Sequence, residues 1–175
     1  YNVRDLSKGF QGIAQSNGDL MSNNEEMIRL WGHECKRVFQ DRLVSNEDRE
    51  KFNEMLRQAC NDHLKKDWDK VKGPNSLIFG NFIDSNIDIE RRNYIEFTDH
   101  SKLQAVANDY LDDYNNMFPK PMQLVLFMNA IEHCARIARV IQQPYGNALL
   151  VGVGGSGRKS LTTLAVFMAD MKLYE

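Results

Sequence analysis

The stretch Ala148-Leu149-Leu150-Val151-Gly152-Val153-Gly154-Gly155-Ser156-Gly157-Arg158-Lys159-Ser160 constrains this chain more than any other. An apolar run suited to a strand passes into a glycine-rich turn and then into helix-forming residues, the layout of a loop that cradles phosphate. Gly152 and Gly157 stand at the two glycine positions of G-x-x-x-x-G-K-[ST], and Gly154 and Gly155, followed by Ser156 as a further candidate binding residue, leave room for backbone N–H groups to meet an anion. The register then departs from that pattern. Arg158 takes the place of the lysine and Lys159 that of the Mg²⁺-binding hydroxyl, while Ser160 comes one position late, about 100° further round a helix. A charged lysine has no lone pair for a cation, whereas a guanidinium is a planar, two-pronged donor to phosphate oxygens but too bulky to act as a compact point charge. The spacing predicts a site for ATP or ADP at which Mg²⁺ is poorly provided for and turnover is slow; no residue is expected to be catalytic. The bland alternative is a strand-to-helix turn without a ligand.

Composition narrows the partners. Across 175 residues, 22 basic against 24 acidic side chains give a net charge of −2, and no Lys/Arg block suggests nucleic acid or an anionic lipid surface. With 42% hydrophobic and 26% charged residues the balance is that of a globular fold. The longest apolar run, near Met122–Ile131, is broken by Gln123 and Asn129, so no membrane span is expected. Cys35, Cys60 and Cys134 are far apart and read as reduced core thiols. Neither His33 beside Glu34 nor His133 beside Cys134 has metal-ligand spacing, and no metal site is expected. Few residues follow Ser160, yet a P-loop domain draws its Mg²⁺-holding acid and its water-positioning groups from later strands. The chain is expected to be cut from something larger.

Periodicity divides the chain in two. Leu6, Phe10, Ile13 and Ala14 mark a first helix, ended at Asn17-Gly18; Met27, Leu30, Trp31, Cys35, Val38, Phe39 and Leu43 mark a second. Ser45 with Asp48 resembles a capping box opening a third, which the pattern Phe52, Met55, Leu56, Ala59, Cys60, Leu64 carries on to Trp68. Gly73-Pro74-Asn75-Ser76 breaks the pattern and predicts a domain boundary near Ser76, before a short extended segment at residues 77–83. After a charged loop at residues 84–93, Asp99 is placed to cap a helix with Leu103, Val106, Ala107, Tyr110, Leu111 and Tyr114 on one face, interrupted at residues 115–121. A helix apolar on more than one side is predicted from about Met122 to Gln142, and the helix behind the loop buries Leu161, Leu164, Ala165 and Met168. Two cores are expected, one around Trp31, Phe39 and Trp68, the other around Phe127, Ile131, Leu150 and Leu164.

Several pieces together resemble the dynein heavy chain of the axonemal type. Leu149 to Arg158 is similar to the loop of the fourth AAA+ module, where an arginine commonly replaces the lysine; Tyr114-Asn115-Asn116, Leu124 to Phe127, Ala130 to His133 and Arg136-Ile137 resemble the segment leading into it. Arg4 to Lys8, Phe10-Gln11-Gly12, Leu30-Trp31, His33-Glu34, Arg37-Val38-Phe39 and Asp41-Arg42-Leu43 resemble the helical lid of the third module. Lys159 departs from the family, where Gln or another polar residue is expected.

The resemblance implies an α/β AAA+ fragment: an all-α lid subdomain over residues 1–76, then the start of a P-loop α/β large subdomain over 77–175. It implies an ATP-driven, microtubule-based motor of cilia and flagella, found in the cytoplasm, cytoskeleton and axoneme. The fourth site would be regulatory, and the partners would be neighbouring AAA+ modules of the same chain, microtubules through other parts, and intermediate and light chains. By the same resemblance Arg4 is a candidate second sensor arginine that reads phosphate charge in the preceding module; otherwise it is a surface arginine pairing Asp5 or a neighbour. Met122, Leu124 and Val125 are candidates for an adenine pocket, although such residues are more often core. The remaining alternatives are a stand-alone P-loop NTPase or kinase fragment and a structural ring element with an empty loop.

Overall fold

The computed structural model describes residues 1–84 and 87–174. The chain forms two compact units, Tyr1–Phe79 and Gly80–Glu175.

The first unit is helical. Helix α1 (Val3–Ile13) starts at Asn2, whose side chain accepts from the Arg4 and Asp5 N–H groups while the Asp5 carboxylate accepts from the Asn2 N–H, so the orphan donors of the first turn are met reciprocally. Asp5 also bonds Arg42 at 2.5 Å, and the Arg42 guanidinium lies over the Tyr1 ring. Tyr1 in turn donates its hydroxyl to the Phe39 carbonyl at 2.7 Å and sets its ring edge-on to that of Phe39. Phe39, expected beside Trp31 and Trp68, is instead the packing partner of Tyr1 at the end of α2 (Asn24–Val38). The core cluster is Ile28, Leu56, Cys60, Trp68 and Val71, with Trp31, Cys35, Phe52 and Leu77 packed against it. Trp31 and Trp68 meet edge to face, their ring centroids 6.4 Å apart. His33 is buried, its Nδ1 3.0 Å from the Leu77 carbonyl and its ring tilted on Phe79, which is a structural role.

The single long third helix expected up to Trp68 is broken. Helix α3 (Asn46–Ala59), capped by the Ser45 hydroxyl at the Asp48 N–H, passes into a π-helical turn, Cys60–Leu64, and Lys65 takes the left-handed conformation, φ 54° and ψ 33°. Asp67 then caps a new short helix, α4 (Trp68–Lys72). An aspartate that accepts from the N–H groups two and three residues on competes locally with helix continuation, which is why an unbroken hydrophobic stripe does not guarantee an unbroken helix.

A two-stranded sheet, β1 (Phe79–Gly80) with β2 (Ile95–Glu96), precedes three helices of the second unit: α5 (His100–Met117), α6 (Met128–Gln142) and α7 (Arg158–Met168). Asp99 caps α5 as expected, accepting from Ser101 and Lys102. The three helices pack on one another and bury Leu103, Ala107, Tyr110 and Leu111 from α5 and Leu164, Ala165 and Met168 from α7. Helix α6 buries Ala130, Ile131, Cys134, Ala135, Ile137 and Ala138, on more than one side, as a helix between two neighbours should. All three cysteines are free thiols, Cys60 and Cys134 buried and Cys35 half-buried.

Two expectations fail in this unit. Helix α6 begins at Met128, not near Met122, and residues 121–127 form no helix or strand, with burial alternating residue by residue. Asn115 clasps this segment, donating from Nδ2 to the Met122 carbonyl and accepting the Met122 N–H, while Gln104 donates to the Leu126 carbonyl. Side-chain amides thus satisfy backbone groups that a helix would have paired internally. In consequence Phe127 (59% exposed) and Leu150 (41%) do not belong to the second core; Ile131 and Leu164, both fully buried, do.

A glycine-rich loop at the start of a helix

The loop is built from its two ends. Residues 148–153 lead into it without regular secondary structure, and no strand pairs with them among the described residues, so the strand read from the sequence is here an unpaired segment. Leu149, Val151 and Val153 are 89%, 83% and 80% exposed. Pairing across a ladder is what converts such a run into a strand, and exposed apolar residues cannot hold it by themselves.

The chain then turns at Gly154-Gly155. Gly155 and Gly157 both have φ +76°, a conformation that costs a residue with a Cβ about 1 kcal/mol or more. Gly157 is also the N-cap of α7, with no side chain capping it. The N–H groups of Arg158, Lys159 and Ser160 therefore stand as first-turn donors at the positive end of the helix, an arrangement suited to an anion. The helix proper closes with the Leu161 N–H on the Gly157 carbonyl at 2.8 Å.

Gly152, Gly154, Gly155, Ser156, Gly157, Arg158, Lys159 and Ser160 all fall within this one loop and helix start. Two of them do something the motif does not encode. Ser156 folds back towards Gly152, where a Cβ would lie 3.3 Å from Ser156 Oγ. The Arg158 guanidinium does not extend over the loop mouth: it donates to the Leu150 carbonyl at 3.4 Å and to the Val153 carbonyl at 3.0 Å. Lys159 is exposed and Ser160 half-buried in the first turn. Thr162 and Thr163 hydroxyls donate back to the Arg158 and Lys159 carbonyls, so neither is turned towards the loop as a replacement cation ligand.

Arg4 belongs to the first unit. It is exposed in the first turn of α1, and the neighbouring Asp5 is engaged by Arg42 and by the Asn2 N–H. The clamp of Tyr1, Asp5, Phe39 and Arg42 beside it escaped sequence reasoning, because nothing in local spacing links residues 37 apart. Met122 and Leu124 are half-buried on the segment before α6, and Val125 is exposed. Among the described residues no group of His, Cys, Asp or Glu side chains is arranged to hold a metal ion.

Two family descriptions match the chain: "AAA+ lid domain" over residues 1–77 and "P-loop containing dynein motor region D4" over residues 122–175. Dynein axonemal heavy chain 6 of Homo sapiens is 46% identical over 173 residues, 98% of this chain and 4% of that protein. Dynein axonemal heavy chain 1 of Homo sapiens is 41% identical over 175 residues, 100% of this chain and 4% of that protein. The chain belongs to the axonemal dynein heavy-chain family. Dynein axonemal heavy chain 12 of Mus musculus, 36% identical over 188 residues, covers 100% of the chain and 6% of its own length. This dynein chain thus spans only a few per cent of the relatives it matches. Its fold is AAA+, an all-α lid followed by the opening of a P-loop α/β subdomain. Membership of a P-loop dynein family implies nucleotide as the ligand class.

The residues present suit that ligand unequally. Flexible glycines, the start of α7 and its helix dipole fit a diphosphate. The place of the Mg²⁺-binding hydroxyl holds Lys159, which does not fit the cation.

Proposed function

We propose that this chain is a working segment of an axonemal dynein motor, an ATP-driven machine that moves on microtubules in cilia and flagella. Its fourth nucleotide site holds ATP or ADP with little turnover and acts as a regulator. Residues 1–76 are the lid of the third AAA+ module and residues 77–175 the N-terminal part of the large subdomain of the fourth. Microtubules, intermediate chains and light chains are engaged by other parts of the polypeptide, and the protein resides in the cytoplasm and the axonemal cytoskeleton. The names of the relatives support this placement.

The observation that carries the regulatory reading is the order of residues at the start of α7: Gly157 caps it, Arg158 and Lys159 fill its first two positions, and a hydroxyl arrives only at Ser160. Phosphoryl transfer depends on a correctly held Mg²⁺ and on charge placed against the developing β/γ oxygens, whereas binding needs only the backbone cradle. Backbone N–H groups from Gly154 through Gly155, Ser156 and Gly157 to Arg158, with the N-terminus of α7, supply that cradle, so binding survives where turnover does not.

Changing Arg158→Lys together with Lys159→Thr in the full-length protein is expected to raise hydrolysis at this site by at least tenfold, each effect being on the scale of one charge contact in a transition state. Bound nucleotide and single-site turnover, measured before and after, check it. Brisk turnover in the unaltered protein would overturn the regulatory reading, and a loop that takes up no nucleotide would leave a structural ring element. Arg4 fits the second sensor role for the third module's nucleotide because its guanidinium is exposed while Asp5 is occupied by Arg42. The role is abandoned if Arg4→Ala leaves nucleotide affinity and turnover of the third module unchanged.

A further inference from the structure

We infer that Arg158 is the internal brace of the glycine-rich loop, a positioning residue that holds the loop in a phosphate-accepting shape without itself being a phosphate ligand. The inference rests on the nucleotide reading of the same loop. Arg158 donates through two different nitrogens, Nη1 to the Leu150 carbonyl at 3.4 Å and Nη2 to the Val153 carbonyl at 3.0 Å. The two acceptors flank Gly152, so one planar group spans the point where the segment enters the turn. The stem of the side chain lies along Gly152 as well: a Cβ there would sit 3.5 Å from Arg158 Cδ and 3.6 Å from Nε. Gly152, read from sequence as the first glycine of the motif, makes way for Arg158 and Ser156.

This geometry accounts for arginine in the place of lysine. An ammonium carries its three donors on one nitrogen, so every carbonyl it meets must lie within reach of that single atom, whereas the guanidinium spreads its N–H groups over separate nitrogens in a rigid fork and can meet two carbonyls at a set separation. Guanidinium donors committed to carbonyls are withheld from an anion, which would then meet the loop through its backbone. These two hydrogen bonds tie the end of the segment to the first turn of α7.

Hydrogen exchange on the millisecond-to-second scale in the full-length protein tests this. Without nucleotide, Arg158→Ala is expected to speed exchange of the loop amides at residues 152–157 about tenfold, the scale on which local contacts set local opening. Arg158→Lys should leave most of that increase in place. Gly152→Ala, which pushes a methyl group against the Arg158 stem and Ser156, should reproduce it with the guanidinium intact. Titrating ADP while reading the protection of the same loop peptide then separates brace from ligand. Unchanged ADP affinity in Arg158→Ala, or a loss that lysine does not restore, supports the brace. Unchanged exchange in Arg158→Ala overturns it, as does a tenfold loss of ADP affinity that Arg158→Lys fully restores. If ADP protects nothing in the unaltered loop, the nucleotide reading fails, while the exchange comparison without nucleotide still decides the brace.

Discussion

Gly32 shows how one atom decides a residue's identity. It lies in the middle of α2, where alanine would be the better helix former by about 1 kcal/mol. A Cβ built there would fall 2.0 Å from Trp68 Cη2 and 2.4 Å from Cζ3, well inside contact distance of a rigid ring that is itself buried. Overpacking of that kind costs ~1–3 kcal/mol and here outweighs the gain in propensity. Gly32→Ala is therefore expected to destabilise the lid by up to about 2 kcal/mol net, read as faster native-state hydrogen exchange of the α2 amides; unchanged or slower exchange would refute the close approach. Asp5 is the other residue whose role depends on atoms far along the chain. Its hydrogen bond from the Asn2 backbone, together with Arg42, holds its carboxyl below the usual aspartate range. The capping interaction is thus fully present above the ordinary aspartate pKa and is lost as pH falls through the lowered value.

At the scale of elements, the break between α3 and α4 turns on Lys65. A lysine with φ 54° occupies a region that costs residues with a Cβ ~1–2 kcal/mol, partly offset by its Nζ bond to the Asp62 carbonyl at 2.7 Å. Lys65→Gly removes the steric cost and loses that exposed bond, and a net stabilisation of roughly 0.5–1 kcal/mol is expected in denaturant titrations of the lid. A destabilisation would mean that the left-handed turn is not what ends the π-helical segment. The same break marks the limit of what periodicity conveys. Apolar stripes revealed α2, α5 and α7, and the caps Ser45 and Asp99 are side chains whose chemistry is local. Lys65 carries no breaker signal, and Met122 to Phe127 fits either an apolar helical face or an alternating extended run. Only the clasp by Asn115, seven residues away, settles that ambiguity. Strand β2 escaped notice because Ile95–Glu96 is too short for alternation to register. The loop was legible as a contiguous motif, but the direction of the Arg158 side chain was not, since a motif specifies which groups are present and not which carbonyls they meet.

For the molecule as a whole, each unit carries its own set of buried side chains, and no helix among the described residues is long and apolar enough to cross a membrane. Burial also sets the chemistry of the thiols. It pushes the Cys35 thiol up to about 11 and Cys134 to about 12, and raises Cys60 as well. At neutral pH the reactive thiolate of Cys35 is then on the order of one part in ten thousand, and that of Cys134 smaller still, against a few per cent for an unperturbed surface cysteine. The native cysteines are accordingly quiet towards maleimides and similar reagents. A probe placed through Ser7→Cys, on the exposed face of α1, is expected to label at least about a hundredfold faster than any of the three, as mass spectrometry of peptides would read. Comparable labelling of Cys134 would show that α6 opens far more readily than its packing suggests. If the contrast holds, fluorophores or spin labels for distance measurements can be introduced one at a time into the otherwise unaltered sequence, without first stripping out its cysteines.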